Sequence, residues 1–168
     1  KNGLLVFIAD HVVNHGEMIA ESGHIELLAS DEVTVDISDG VVSILSTKSS
    51  VDALIENHGL VEANGGVVVF NADAMDALQQ TVVNNTGVIR ATSVEEINGE
   101  IYILGGEGDL VLDGQISANG QADTQAGSIE LSSNRIALIG EVHADGDQVG
   151  DGGEILINAD DTIVLADE

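Results

Sequence analysis

Cysteine, proline and tryptophan are all absent from this 168-residue sequence, which holds one tyrosine, two phenylalanines and four cationic residues. Without cysteine there is no disulfide framework, so the fold rests on packing and backbone hydrogen bonds. The compartment stays open, because long secreted solenoids can do without disulfides. Without bulky aromatic anchors the core must be built from many small aliphatic layers, which favours a stacked architecture over a globule with one centre. Lys1, Lys48, Arg90 and Arg135 stand against thirty acids, for a formal net charge of −26. Such a surface repels phosphate backbones and anionic membranes and lacks the basic footprint of a nucleic-acid binder. The longest apolar run, Leu4–Ala9, is far too short to span a bilayer. No nucleic acid and no membrane insertion are therefore expected. The chain opens on Lys-Asn-Gly and runs straight into a strand pattern, as a piece cut from something longer would.

What is present is repetition. A glycine followed by apolar residues at every second position occurs at Gly3-Leu-Leu5-Val-Phe7, Gly23-His-Ile25-Glu-Leu27 and Gly66-Val-Val68-Val-Phe70. It returns at Gly99-Glu-Ile101-Tyr-Ile103, Gly127-Ser-Ile129-Glu-Leu131 and Gly153-Glu-Ile155-Leu-Ile157. A second word, glycine and one apolar residue closed by alanine, alternates with it at Gly16–Ala20, Gly59–Ala63, Gly87–Ala91, Gly114–Ala118 and Gly140–Ala144. Its copies lie 43, 28, 27 and 26 residues apart. A period in the twenties made of short alternating segments and glycine corners marks a β-solenoid. A strand of three to five residues cannot bury its apolar face alone, but stacked coils pair every backbone group and align the apolar residues in rows. A third segment completes each coil, at His11–Val13, Glu32–Val35, Leu110–Leu112, Ile136–Leu138 and Ile163–Leu165. The expected fold is all-β: a parallel β-helix of about six coils with three short strands each, roughly 30 Å long at about 4.8 Å per rung. Glycine is expected at the corners for its conformational freedom.

The gap of 43 residues between Gly16 and Gly59 admits two readings. Gly40-Val-Val42-Ser-Ile44 could be an ordinary coil segment. Alternatively, 33–45 is a hairpin projecting from the rod, turned at Asp39-Gly40, with Ile37 opposite Val42 and Val35 opposite Ile44. Apolar spacings of three and four at 50–55 and 73–79 suggest short helical turns inserted at corners. Asn14, Asn57 and Asn85 each stand two residues before a corner glycine, where stacked side-chain amides can hydrogen-bond along the rod.

Chemistry-bearing patterns are sparse. His15 and His58 occupy equivalent corners, while His11, His24 and His143 fall on different faces without metal-ligand spacing. Asp145, Asp147 and Asp151 form the one candidate metal site, a weak divalent-cation (Ca²⁺) loop. There the EF-hand pattern fails at Val149 and again at Leu156, where the closing glutamate belongs. No catalytic residue and no other cofactor is expected. Carboxylates are so abundant that pairs suited to glycoside hydrolysis arise by chance; a carbohydrate-active β-helix is the enzyme alternative because that fold hosts polysaccharide hydrolases and lyases. Against it, only Arg90 and Arg135 lie within the repeats to meet an acidic sugar, and Tyr102 alone offers a non-Phe ring.

The stretches GEMIAESGHIELLASDEVTVDISDG (16–40), ALIENHGLVEANGGVVVFNADAMDALQQTVVNNTGVIRA (53–91) and NGEIYILGG (98–106) resemble the filamentous-haemagglutinin-like exoproteins of two-partner secretion systems. The similarity is to the segment at or just after their amino-terminal secretion domain. It implies a right-handed parallel β-helix and export through an outer-membrane partner transporter, with a secreted or bacterial-surface location. It also implies a role as adhesin shaft, with a host or bacterial surface receptor, or as carrier of a distal contact-dependent toxin. The family's Asn-Pro-Asn-Gly secretion motif has no counterpart in a chain without proline, so no transporter-contacting residue is carried over.

Overall fold

Alternation turns into strand almost wherever it occurs. The computed structural model describes residues 3–38, 41–50, 52–75, 80–94, 97–121 and 123–166, and among these it is all-β with no helix. Strands that carry the first sequence word form one parallel ladder: β1 (Leu4–Ile8), β4 (His24–Ala29), β9 (Val67–Ala72), β12 (Glu100–Leu104), and the first halves of β15 (Ser128–Leu138) and β17 (Glu154–Leu165). A second ladder joins β2 (His11–Asn14), β7 (Leu54–Asn57), β10 (Thr81–Asn85) and β13 (Asp109–Leu112) to the second halves of β15 and β17. The alanine-closed word builds the third: β3 (Glu17–Ile19), β8 (Leu60–Glu62), β11 (Val88–Arg90), β14 (Gln115–Ser117) and β16 (Glu141–His143). In every rung after the 32–48 insertion the chain therefore returns to the same ladder after 26 to 28 residues along the third ladder.

Register follows the words. Ile25, Val68, Ile101, Ile129 and Ile155 lie opposite one another through the first ladder, and Leu27, Phe70, Ile103, Leu131 and Ile157 do the same two positions later. Period-two alternation sends both rows inward, where Ile25, Phe70, Ile101 and Ile103 lose all solvent contact. In the third ladder each rung contributes one larger apolar residue and the closing alanine, as in Ile89 with Ala91 and Ile116 with Ala118, all fully buried. Small alanines let the corner close where a larger side chain would collide with the facing rows.

The corner glycines are required for a different reason from the one expected. None in the two columns has a left-handed φ; among the described residues only Gly65 and Gly106 are positive-φ glycines. A Cβ on Gly59, Gly87, Gly114 or Gly140 would instead lie 2.0–2.2 Å from the carbonyl oxygen of the preceding column glycine. The same holds for Gly66, Gly127 and Gly153, at 1.8–2.0 Å from their predecessors. Close approach of successive rungs, rather than conformational freedom, fixes glycine there.

The long gap resolves as a hairpin. β5 (Glu32–Ser38) and β6 (Val41–Lys48) pair antiparallel, with Val35 opposite Ile44 and Ile37 opposite Val42. The third segment read at Glu32–Val35 therefore belongs to this ribbon, and β7 fills the second-ladder position of that rung. The Asp39-Gly40 turn lies outside the described residues. Among the described residues of 50–55 there is no helical turn: Ser50 makes an isolated parallel bridge with Ala74, and strand resumes at Leu54. Ala53 and Ile55 are both fully buried, so the period there is two, not three and four. Of the turn expected at 73–79, residues 73–75 are bridge and bend rather than helix, and 76–79 lie outside the described residues.

Candidate functional site

Three places gather polar side chains, and each grows from rung stacking. At the corner between the second and third ladders, Asn14 Nδ2 donates to Asn57 Oδ1 at 2.8 Å and Asn57 Nδ2 donates to Asn85 Oδ1 at 2.8 Å. All three amides are buried, and the Asn14 oxygen also accepts the Gly16 N–H at 3.0 Å. The column ends where Leu112 and Leu138 take over the register. Beside it the His15 and His58 rings stack with centroids 4.9 Å apart, and His58 Nδ1 lies 2.7 Å from Thr86 Oγ1. The expected amide column is thus formed and holds the rungs in register. His11, His24 and His143 stand elsewhere, His24 Nε2 lying 3.4 Å from Glu26 Oε2 on its own strand.

The second place is the base of the hairpin. Lys48 Nζ meets Asp31 Oδ2 at 2.6 Å, and Asp31 N–H donates to the Lys48 carbonyl at 3.2 Å. The Lys48 ammonium, and then the Ser50 hydroxyl, hold the Asp31 carboxyl below its usual range; the same carboxylate pushes Lys48 up. Ser46 and Ser49 both donate to the Asp73 carboxylate, the latter at 2.9 Å, and Ser30 Oγ donates to the Lys48 carbonyl at 2.7 Å. Spacing at Asp73 suggests only a helical turn, whereas its serine partners come from a ribbon whose exit path is set only by folding.

The third is the acidic loop after β16. Asp145 directs Oδ2 to His143 Nδ1 at 3.2 Å, while Glu141 Oε2 stands 3.4 Å from the other ring nitrogen. Asp147 uses Oδ1 to accept the Gln148 N–H at 2.8 Å, and its carbonyl accepts Gly150 N–H at 3.0 Å. Asp151 enters through its backbone, its carbonyl accepting Ala126 N–H at 3.0 Å. The three aspartates thus carry separate roles within a lengthened corner that stacks on Asn119, Gly120 and Ala126. Among the described residues no three His, Asp or Glu side chains are grouped to hold a metal ion.

Both arginines are committed to carboxylates one rung away. Arg90 Nη1 lies 3.0 Å from Glu62 Oε2, its register partner on β8. Arg135 grips Asp109 on β13 with Nε at 3.0 Å from Oδ1 and a second contact through Nη2, which raises the guanidinium's affinity for its proton further. Spacings of 28 and 26 residues within equivalent words carried both pairs, a signal left unused in the sequence reading. Tyr102 faces outward on β12 and donates to Glu100 Oε2 at 3.1 Å; partial burial pushes its phenol above the usual range, and Glu100 and Glu130 add to the effect. Open depressions occur at the corner of Asp113, Gln115 and Glu141 and beside Asp73, Glu107 and Asp160. Their walls mix carboxylates and amides with aliphatic residues such as Ile139 and Leu104, with no described arginine or lysine among them. No model of a known protein family matches the chain, and no curated protein matches it.

Proposed function

We propose that this chain is a shaft segment of a secreted or surface-exposed bacterial adhesin, exported by two-partner secretion and wound as a right-handed parallel β-helix of about six coils. The observation that carries the reading is the return of the chain to the same parallel ladders rung after rung, with both sequence words in register. A solenoid of this kind can add one coil at a time, so that each rung templates the next as the chain emerges from a pore. Its lack of cysteine and proline and its scarcity of large aromatics suit passage through a narrow transporter unfolded. The sequence words of 16–40, 53–91 and 98–106 supply the resemblance to filamentous-haemagglutinin-like exoproteins, and with it the adhesive role and the partner transporter. Both arginines are tied to carboxylates of neighbouring strands, which favours a shaft over a polysaccharide lyase or hydrolase.

The test is made in the source bacterium with an antibody against this chain. Labelling of intact cells or medium is expected with the partner transporter present, and retention inside the outer membrane after its deletion. Surface labelling that survives the deletion would overturn the reading.

A further inference from the structure

An asparagine followed by glycine is prone to cyclise, because the glycine nitrogen approaches the side-chain amide with no Cβ in its way. The sequence holds four such pairs, of which Asn2 lies outside the described residues. The other three, Asn64-Gly65, Asn98-Gly99 and Asn119-Gly120, all stand at the corner leading from the third ladder to the first. Two of them are clamped onto the next rung. Asn64 Oδ1 accepts the Thr92 N–H at 3.0 Å while Gly65 N–H donates to the Thr92 carbonyl at 2.7 Å. Asn119 Oδ1 accepts the Asp145 N–H at 2.8 Å while Gly120 N–H donates to the Asp145 carbonyl at 2.8 Å. Each clamp fixes both the side chain and the nitrogen that would attack it. Asn98 has no such hold: it is exposed, and among the described residues its side-chain amide makes no hydrogen bond. Its glycine is also held differently. Gly23, Gly127 and Gly153, in the same column, donate N–H to the carbonyls of Ala20, Ala118 and Ala144 at 2.7–2.9 Å. Gly99 N–H reaches the Ser93 hydroxyl instead, at 3.1 Å, a contact that rotation of one side-chain torsion releases.

We propose that Asn98 is a modification site, deamidated by water through a cyclic imide formed with Gly99. The Gly99 nitrogen gives up its proton and bonds to Asn98 Cγ. The bond from Cγ to the side-chain nitrogen breaks, and that nitrogen leaves with the proton as ammonia. Water then opens the imide on one of two sides. Opening at Cγ leaves an ordinary aspartate. Opening at the main-chain carbonyl carbon leaves an isoaspartyl link, in which the chain runs on through Cγ. Water is the only co-reactant. Either product adds one negative charge beside Glu100 and Glu154, in the depression they share with Gln125. The isoaspartyl product also lengthens the main chain by one carbon next to the tightest of the column glycines. A Cβ on Gly99 would lie 1.5 Å from the Ala91 carbonyl oxygen, so this corner takes no extra atom without displacing the start of β12. Deamidation at Asn98 therefore changes the charge of this corner and, in its isoaspartyl form, loosens the rung. The inference stands on corner geometry and is independent of the secretion reading.

The test incubates the chain at mildly alkaline pH, folded and in concentrated urea, and follows the three sites by peptide-mapping mass spectrometry with enzymatic labelling of isoaspartate. In urea the three asparagines are expected to react at similar rates. In the folded chain Asn98 should react at least about tenfold faster than Asn64 and Asn119, since each of those must first break two hydrogen bonds. Asn98→Gln, whose imide ring is one atom larger and closes far more slowly, should leave position 98 unmodified. Aged protein rich in isoaspartate should melt below fresh protein, whereas Asn98→Asp, which adds charge but no main-chain atom, should melt with it. Equal rates at the three sites in the folded chain, Asn64 or Asn119 reacting ahead of Asn98, or an Asn98 that reacts only in urea would each overturn the proposal. Aged isoaspartyl protein that melts with Asn98→Asp would overturn the loosening of the rung.

Discussion

The rod and the β5–β6 ribbon are built from one palette of valine, isoleucine, leucine and serine, and they end in opposite states. In the rod each strand takes its neighbours from sequence 20 to 43 residues away, and inward residues such as Ile55, Val68 and Ile101 have no solvent exposure. In the ribbon the partner comes from across one turn, and Val35 and Leu45 remain 48% and 65% exposed. Alternation alone therefore specifies a strand but not its partner. In the rod the partner is set by glycines that recur once per return in each of the two columns, whereas in the ribbon it is the strand that follows next in the chain. An inner rod strand has a rung on each side and a facing row across the core, whereas a two-stranded ribbon is of marginal stability by itself. The described contacts that fasten it, Asp31 with Lys48 and Ser46 and Ser49 with Asp73, lie at its base.

The largest break in this comparison is expected from Gly114→Val. The new Cβ would lie 2.0 Å from the Gly87 carbonyl oxygen and 2.8 Å from Asn85 Nδ2, and neither atom can retreat without opening the ladder. Overpacking of this kind costs about 3 kcal/mol or more, because backbone rather than a flexible side-chain end must yield. Urea unfolding monitored by circular dichroism should show the loss. A midpoint within error of wild type would mean that the rungs are spaced further apart than the column requires.

The next effect is expected from Asn57→Ala, at the middle of the amide column. It removes both amide–amide hydrogen bonds of the column, leaving Asn85 Oδ1 without its Asn57 donor and Asn14 Nδ2 with only its longer bond to the Leu60 carbonyl at 3.3 Å. Leaving such groups unpaired costs about 2–3 kcal/mol. Asn85→Leu should cost less, because the next rung already carries Leu112 at that register position and only one amide bond is lost. Equal losses in the two variants would show that the column acts through packing volume and not through its hydrogen bonds.

Most of the rod was legible because its information is periodic: the two words name the strand, the inward rows and the corner at once. The amide column at Asn14, Asn57 and Asn85 was readable for the same reason, each residue standing two before a column glycine. The function of the glycines was not readable, since a sequence shows that glycine recurs without showing that a carbonyl occupies the space of its missing Cβ. Apolar residues at 50–55 fit a helical spacing only by ignoring that Ala53 and Ile55, two apart, are the buried pair. Closely spaced aspartates in the acidic loop suggest a cation site, but spacing alone does not carry the partner that each one takes. Asp145 turns back to His143, Asp147 closes its own turn, and Asp151 acts through its carbonyl.

The smallest expected effect sharpens the ribbon side of the comparison. Asp31 and Lys48 close the ribbon at its base, where both are solvent-exposed, so their pair shapes local order more than global stability. The folded-state carboxyl of Asp31 is held below its ordinary value of 3.8, chiefly by Lys48 and secondly by Ser50. Its contribution is therefore present above pH 3.8 and is lost as pH falls through the lowered value. Lys48 is raised above its ordinary 10.5, so its contribution is complete below that pH and is lost as pH climbs through the raised value. Carboxyl ¹³C titration should place the Asp31 midpoint below 3.8 in the wild type and return it toward 3.8 in Lys48→Met. The amide signals of the rod ladders should not respond to the substitution, because no rod strand depends on the pair. A midpoint unmoved by Lys48→Met would assign the hold on Asp31 to Ser50, and the ribbon would then be fastened by its serines rather than by charge.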